Sequence, residues 1–210
     1  MTATRESYEP SHPGLFSIEF KEGEYSSALF ADKDFAEGQV LAFLEGLTKG
    51  PKAYSSVQCG PNSDDHIELN SDLLYVNHSC EPNVAFDLSS TNMTEWQVRA
   101  LKPIRSGEPL SFFYPSTEWD MGQPFECICG TSSCLGQIQG AAYLSKEDLL
   151  ARKFVSPWIL ALAAERDASL VATHQTGPGG LSAQSSQRCV SCGFGFTARG
   201  DKNLCGCRPN

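Results

Sequence analysis

Asn77-His78-Ser79-Cys80-Glu81-Pro82-Asn83 packs two amides, an imidazole and a thiol into seven residues. Downstream, Cys127-Ile128-Cys129-Gly130-Thr131-Ser132-Ser133-Cys134 places three more thiols within eight residues. Tetrahedral zinc takes four ligands, and Gly130 suits the tight turn such a wrap needs. Three thiols leave one position to be filled from elsewhere, and Cys80 is the candidate. The alternative makes Cys80 a small buried hydrophobe, with His78 or water completing the site. Spacing alone leaves both open.

Working outward, the chain from Leu15 to about Tyr114 reads as short strands broken by turns. Val40 to Leu44 is an apolar run too short for an ordinary helix and suited to a buried strand. Glu95 to Ala100 alternates polar and apolar, and Leu110 to Tyr114 follows the turn Ser106-Gly107-Glu108-Pro109. After Gly140 the pattern turns helical. Ser145 caps a helix carrying Leu149, Leu150 and Phe154, and Ser156-Pro157 opens a second helix over Trp158 to Ala168. Residues 172–188 are Gly-, Ser- and Gln-rich and read as a linker.

Composition bounds the function. The 210 residues fit one domain with an appendage, and 40% hydrophobic content supports a real core. The longest apolar stretch, Trp158 to Ala164, is far short of the roughly 20 residues of a membrane span. The opening MTATRESYEP lacks the apolar core of a secretory signal, so the expected compartment is intracellular, nuclear or cytoplasmic. A net charge of −9 argues against phosphate neutralisation, hence against nucleic acid for the main domain, and favours a basic partner. Nine cysteines in a reducing compartment point to metal rather than disulfides.

The ordered motifs resemble the SET-domain protein-lysine methyltransferases. Asn77 to Asn83 matches the NHSCxPN signature of that family, and Cys127-x-Cys129-x4-Cys134 matches its post-SET zinc motif. Gly107-Glu108-Pro109-Leu110-Ser111-Phe112-Phe113-Tyr114 is similar to the GEELTFDY segment. Leu29-Phe30-Ala31-Asp32-Lys33-Asp34-Phe35-Ala36-Glu37-Gly38 resembles the LFAxxDIxxGE opening. Four matches in order, over roughly residues 26 to 136, are far more specific than any one.

The resemblance implies a mostly β fold with some α: small β-sheets around a pseudoknot that threads Asn77–Asn83 against the segment ending at Tyr114. It implies S-adenosyl-L-methionine as cofactor and a basic protein or peptide, such as a histone tail, as substrate. Ser26, Ala28, Leu29, Asn77, His78 and Tyr114 would line the cofactor site, with Tyr114 the catalytic tyrosine. Cys80, Cys127, Cys129 and Cys134 would hold a structural zinc, and Phe112 and Leu44 would wall the substrate channel. Phe112 has a second reading as a plain core aromatic. The implied segments are a tail (1–14), the SET domain (15–120), the post-SET motif (121–140), a helical extension (141–170), a linker (171–188) and a cysteine-rich tail (189–210). In that tail, Cys189-x2-Cys192-x12-Cys205-x-Cys207 has zinc-knuckle spacing, with a disulfide pair as the alternative.

Three departures from the family pattern stand out. Ser26 and Ala28 stand where GxG is usual, Leu44 where a tyrosine is usual, and Phe113 where an acidic residue is usual. Small Ser26 and Ala28 still permit close approach of the cofactor, but left-handed backbone there costs more. Leu44 removes an aromatic hydroxyl from the channel wall. These departures leave an alternative: a SET-derived, non-methylating protein that docks partners or turns its pocket on a small molecule. Cys59 is expected as a plain thiol, and His12, His66 and His174 as surface histidines.

Overall fold

Short apolar runs between turn residues yield short strands. In a computed structural model of the chain, residues 8–23 and 26–175 are described, the side chains of 172–175 excepted. In chain order the strands are β1 (Phe16–Glu19), β2 (Ala28–Ala31), β3 (Val40–Phe43), β4 (Thr48–Lys49), β5 (Ser56–Gln58) and β6 (His66–Glu68). They continue with β7 (Asn77–His78), β8 (Val84–Asp87), β9 (Gln97–Ala100), β10 (Ser111–Phe112), β11 (Phe125–Glu126) and β12 (Gln137–Ile138). Two helices follow, α1 (Lys146–Leu150) and α2 (Pro157–Gln175). The chain divides into two units, Met1–Val171 and Ala172–Asn210, and the second is described only for the last residues of α2.

Sheets are small and numerous among the described residues. β1 pairs with β2, β11 with β12, and two three-stranded sheets run β3-β9-β8 and β4-β6-β5. All of these are antiparallel. The exception is β7, which pairs in parallel with β10, Asn77 opposite Ser111 and Phe112 opposite His78. Asn83 locks this crossing. Its Oδ1 accepts the Ser111 N–H at 2.8 Å, its Nδ2 donates to the Pro109 carbonyl at 2.9 Å, and its own N–H donates to the Ser111 carbonyl at 3.1 Å. A buried amide with donor and acceptor both matched fixes one register.

Strand alternation then separates two aromatic neighbours. Phe112 enters the main core with Leu29, Phe86, Val98 and Leu110, whereas Phe113 enters a second core with Leu149, Ile159 and Ala163 of the helices. Arg166 in α2 braces that second core, donating through Nη1 to the carbonyls of Ala142 (3.0 Å) and Leu144 (2.9 Å). No helix among the described residues is long and apolar enough to cross a membrane.

Four local features differ from the sequence reading. The expected strand Leu110–Tyr114 pairs only over Ser111–Phe112 and then bends into a 3₁₀ turn at Tyr114–Ser116. Pro115 has no N–H to extend a ladder and suits the first helical positions. The strand expected from Glu95 begins at Gln97, because the Asn92 side chain accepts the Thr94 N–H and caps a 3₁₀ turn over Met93–Glu95. Helix α2 runs on to Gln175, past residue 168, since no breaker precedes Gly177-Pro178. Ser145 caps α1 as expected, accepting from the Asp148 N–H, but the Ser156 Oγ is buried without a partner and only its carbonyl serves α2.

Candidate functional site

The site forms where β7 meets β10. Asn77 Nδ2 donates to the Ser27 carbonyl at 2.9 Å, joining the first signature segment to the opening before β2. Ser26 turns its hydroxyl back onto the Lys21, Glu22 and Gly23 carbonyls and closes that loop. Ala28 starts β2 opposite Glu19, and Leu29 is fully buried beneath it. Ser26, Leu29 and Asn77 thus belong to one neighbourhood, although their numbers span some fifty positions.

His78 occupies the centre. Its Nδ1 accepts the Tyr114 N–H at 3.2 Å and its Nε2 lies 3.5 Å from Cys80 Sγ. Burial, with the Arg152 charge second, pushes its pKa down to about 4, so the ring is neutral at pH 7. Tyr114 packs edge-on to His78 with centroids 5.2 Å apart and lies 4.6 Å from Phe112, and its hydroxyl donates to the Val76 carbonyl at 3.3 Å. Burial first, then the nearby Glu118 carboxyl, pushes the phenol up, so it stays protonated. Phe112 also packs on Phe86 at 4.5 Å, as its reading as a core aromatic requires.

Leu44 is buried in the main core that also holds Phe112, donates its N–H to the Trp96 carbonyl at 2.8 Å, and lines an open notch with Met93 and Thr94. Glu45 and Gly46 share that notch.

The second half of the site is sulfur. One Sγ from each of Cys80, Cys127, Cys129 and Cys134 lies within 4.8 Å of all the others, and Cys80 Sγ is 3.9 Å from Cys127 Sγ. A tetrahedron with metal–sulfur bonds of about 2.3 Å has edges of about 3.8 Å, the scale of the Cys80–Cys127 separation, so this cluster could hold a zinc ion. All four are free thiols. The Leu135 N–H donates to Cys80 Sγ, the Cys127 N–H to the Gly136 carbonyl, and Gly130 and Gly136 take left-handed φ of +70° and +71°. Burial pushes the Cys127 and Cys80 thiols up. At Cys129 burial is outweighed by the Thr131 hydroxyl and backbone N–H, and its pKa falls to about 6. Four sulfurs gathered this closely are a donor set that a divalent cation, binding them as thiolates, could satisfy.

Three further residues belong here that the sequence reading missed. Phe125, two positions before Cys127, packs edge-on to both His78 (5.6 Å) and Tyr114 (6.0 Å). An aromatic just ahead of a cysteine cluster was the available signal. Glu118 is buried at 8% exposure; its Oε1 accepts the Gln58 N–H at 2.7 Å and the Thr117 hydroxyl at 3.3 Å. Arg152 stacks over Phe113 at 5.0 Å from α1's far end. Charged residues are so seldom buried that a lone Glu or Arg carries no mark in a sequence.

Other expectations changed. His66 is 1% exposed, not on the surface, with Nδ1 3.0 Å from the Ser56 hydroxyl. His12 donates its N–H to Asp72 at 2.8 Å, whereas Cys59 is a free thiol as expected, donating to the Asp65 carbonyl. His174 and the second cysteine set, Cys189, Cys192, Cys205 and Cys207, lie outside the described side chains.

Comparison with known proteins agrees with the geometry. The SET domain family model matches residues 26–115. Methyltransferase flvH of Aspergillus flavus is 38% identical over 157 residues, 74% of this chain and 85% of that protein. Histone-lysine N-methyltransferase ash1 of Drosophila melanogaster is 34% identical over 118 residues, 56% of this chain but 5% of that much longer protein. The methyltransferase domain of human histone-lysine N-methyltransferase SETMAR aligns with 19% identity and a TM-score of 0.42, covering 60% of this chain and 58% of that one. With the signature segment, the parallel crossing and a relative matched over most of its length, the chain belongs to the SET-domain methyltransferases.

Proposed function

We propose that the chain is an S-adenosyl-L-methionine-dependent protein-lysine N-methyltransferase whose acceptor is a basic segment such as a histone tail, working in the nucleus or cytoplasm. The observation that carries this reading is the union of Asn77, His78 and Tyr114 on one parallel crossing, directly beside a four-thiol cluster. Support for lysine comes from the relative named as a histone-lysine methyltransferase, and support for a basic substrate from the net charge of −9.

S-Adenosylmethionine, when bound, supplies a methyl group already activated on a sulfonium. The protein's own part is to orient and to dry. Asn77, His78 and the Ser26–Leu29 loop would form the cofactor wall, with Phe125 facing His78. Tyr114 would hold the acceptor amine by hydrogen bonding, its phenol kept neutral by burial. The same burial disfavours an ammonium ion, whose reference pKa of about 10.4 otherwise leaves it protonated and unreactive at pH 7. Phe112 presents no hydroxyl to the channel, leaving room for an amine already carrying methyl groups. Leu44 would contribute an apolar wall from the main core. Cys80, Cys127, Cys129 and Cys134 would hold a structural zinc that ties the post-SET segment to the signature segment.

The test is calorimetric titration with S-adenosylmethionine followed by radiolabel transfer to histone peptides. Binding should vanish in Asn77→Ala. Transfer should fall at least 100-fold in Tyr114→Phe while binding persists. A zinc-loaded wild-type chain that binds no S-adenosylmethionine would overturn the reading.

A further inference from the structure

Ser133 stands immediately before the last cysteine of the cluster, and each of its polar groups is taken. Its N–H (3.3 Å) and its hydroxyl (2.8 Å) both donate to Glu81 Oε1, which the Ser132 hydroxyl also approaches at 3.4 Å. Its carbonyl faces Arg152 Nη2 at 3.5 Å. Glu81 is the residue after Cys80, so one grip begins at a thiol of the signature segment. Arg152 belongs to the helical extension, and its guanidinium lies over Phe113, the position at which the family pattern has an acid. Arg152 Nε is buried with no hydrogen-bond partner, which suits a planar cation stacked on an aromatic face.

We propose that Ser133 is the outer-shell hub of the metal site, gripped by Glu81 on one side and by Arg152 on the other. Glu81 and Arg152 are then positioning residues that act through Ser133, and the helical extension keeps the metal in place although it supplies no ligand. The physical reason is entropic. A loop already ordered between Cys129 and Cys134 loses little freedom when the cation arrives, and it must disorder before the cation can leave. Glu81 and Arg152 hold opposite faces of the same residue, so neither alone stops the loop from swinging out. This inference rests on the reading of the four thiols as a zinc site.

The experiment is zinc release to an excess of chromogenic chelator from the full chain, following the phase that Cys134→Ser abolishes. Arg152→Met keeps the apolar stem and removes the charge and donors, and Glu81→Ala opens the exposed face, where folding is not at risk. Each should speed release about 10-fold, the ordinary scale for outer-shell partners. Arg152→Lys should recover part of the loss, since an ammonium can still donate to the Ser133 carbonyl but cannot stack as a plane. Lys153→Ala is the comparator. Lys153 ties the same turn to the Leu101 carbonyl (2.5 Å) and Glu37 (2.8 Å), away from the cluster, and should release zinc at the wild-type rate. Unaltered release from Arg152→Met or from Glu81→Ala, or equal acceleration in Lys153→Ala, overturns the inference alone. A wild-type chain that holds no zinc at these thiols overturns the metal reading and this inference with it.

Discussion

The Tyr114 N–H donates to Nδ1 of His78 at 3.2 Å, so that nitrogen carries no proton and the ring presents Nε2–H to the Cys80 sulfur 3.5 Å away. One imidazole therefore touches both halves of the site: the turn bearing the phenol and the thiol cluster. Heteronuclear long-range NMR at pH 7 should report a pyridine-like Nδ1 and a pyrrole-like Nε2 for His78. The opposite tautomer would break the link.

Asn83 should be among the most costly polar positions in the fold. Its buried amide satisfies the Ser111 N–H and the Pro109 carbonyl together, and alanine would leave both unmet in a dry crossing. Asn83→Ala is expected to lose about 2–3 kcal/mol in chemical denaturation. A loss under half that figure would mean water enters the crossing freely.

Glu118 makes stability depend on pH. Burial, only partly offset by the Gln58 N–H and the Thr117 hydroxyl, pushes its pKa up to about 7 from an ordinary 4.5. A folded value above the unfolded one means the folded state holds this proton more tightly. The contribution is complete below about 4.5 and is lost as pH rises through about 7. Wild type should thus lose roughly 3 kcal/mol more than Glu118→Gln between pH 4 and pH 8. Parallel stability curves for the two proteins would contradict this.

Gly140 joins the cysteine segment to the helical extension at φ +120°, and a Cβ there would meet the Trp119 carbonyl oxygen at 2.6 Å and the Asp120 Cα at 2.9 Å. Both contacts are with backbone, which cannot swing aside. Gly140→Ala should cost more than about 2 kcal/mol and lower the melting temperature accordingly. Gly107→Ala is the control, with φ +86° but open space around the added methyl, and should cost less.

Family and site were legible because their residues are chemically rare together. Asn77-His78-Ser79-Cys80 and the three later thiols declare themselves in one dimension. What stayed hidden is relational. Phe112 and Phe113 look alike in the chain, yet alternation sends them into different cores. Glu118 and Arg152 look like surface charges, yet the Tyr114 turn buries Glu118 and the second core half-buries Arg152 over the Phe113 ring. Ser156 had the residue type of a cap, but its side chain faces an apolar interior instead of the first turn of α2. Leu44 reads as one more apolar residue, and that it shares a notch with Met93 follows only from its N–H pairing with Trp96 just beyond β3.

The two-residue parallel ladder between Asn77 and Ser111 has a consequence for synthesis. A nascent chain emerging from the ribosome possesses its first signature segment long before the strand that must receive it. Until Ser111 and Phe112 have left the tunnel, Asn83 has no partner for its amide and His78 none for its ring. Premature termination anywhere upstream of Tyr114 would therefore yield exposed, unpaired strands for chaperones and proteases rather than a weakened enzyme.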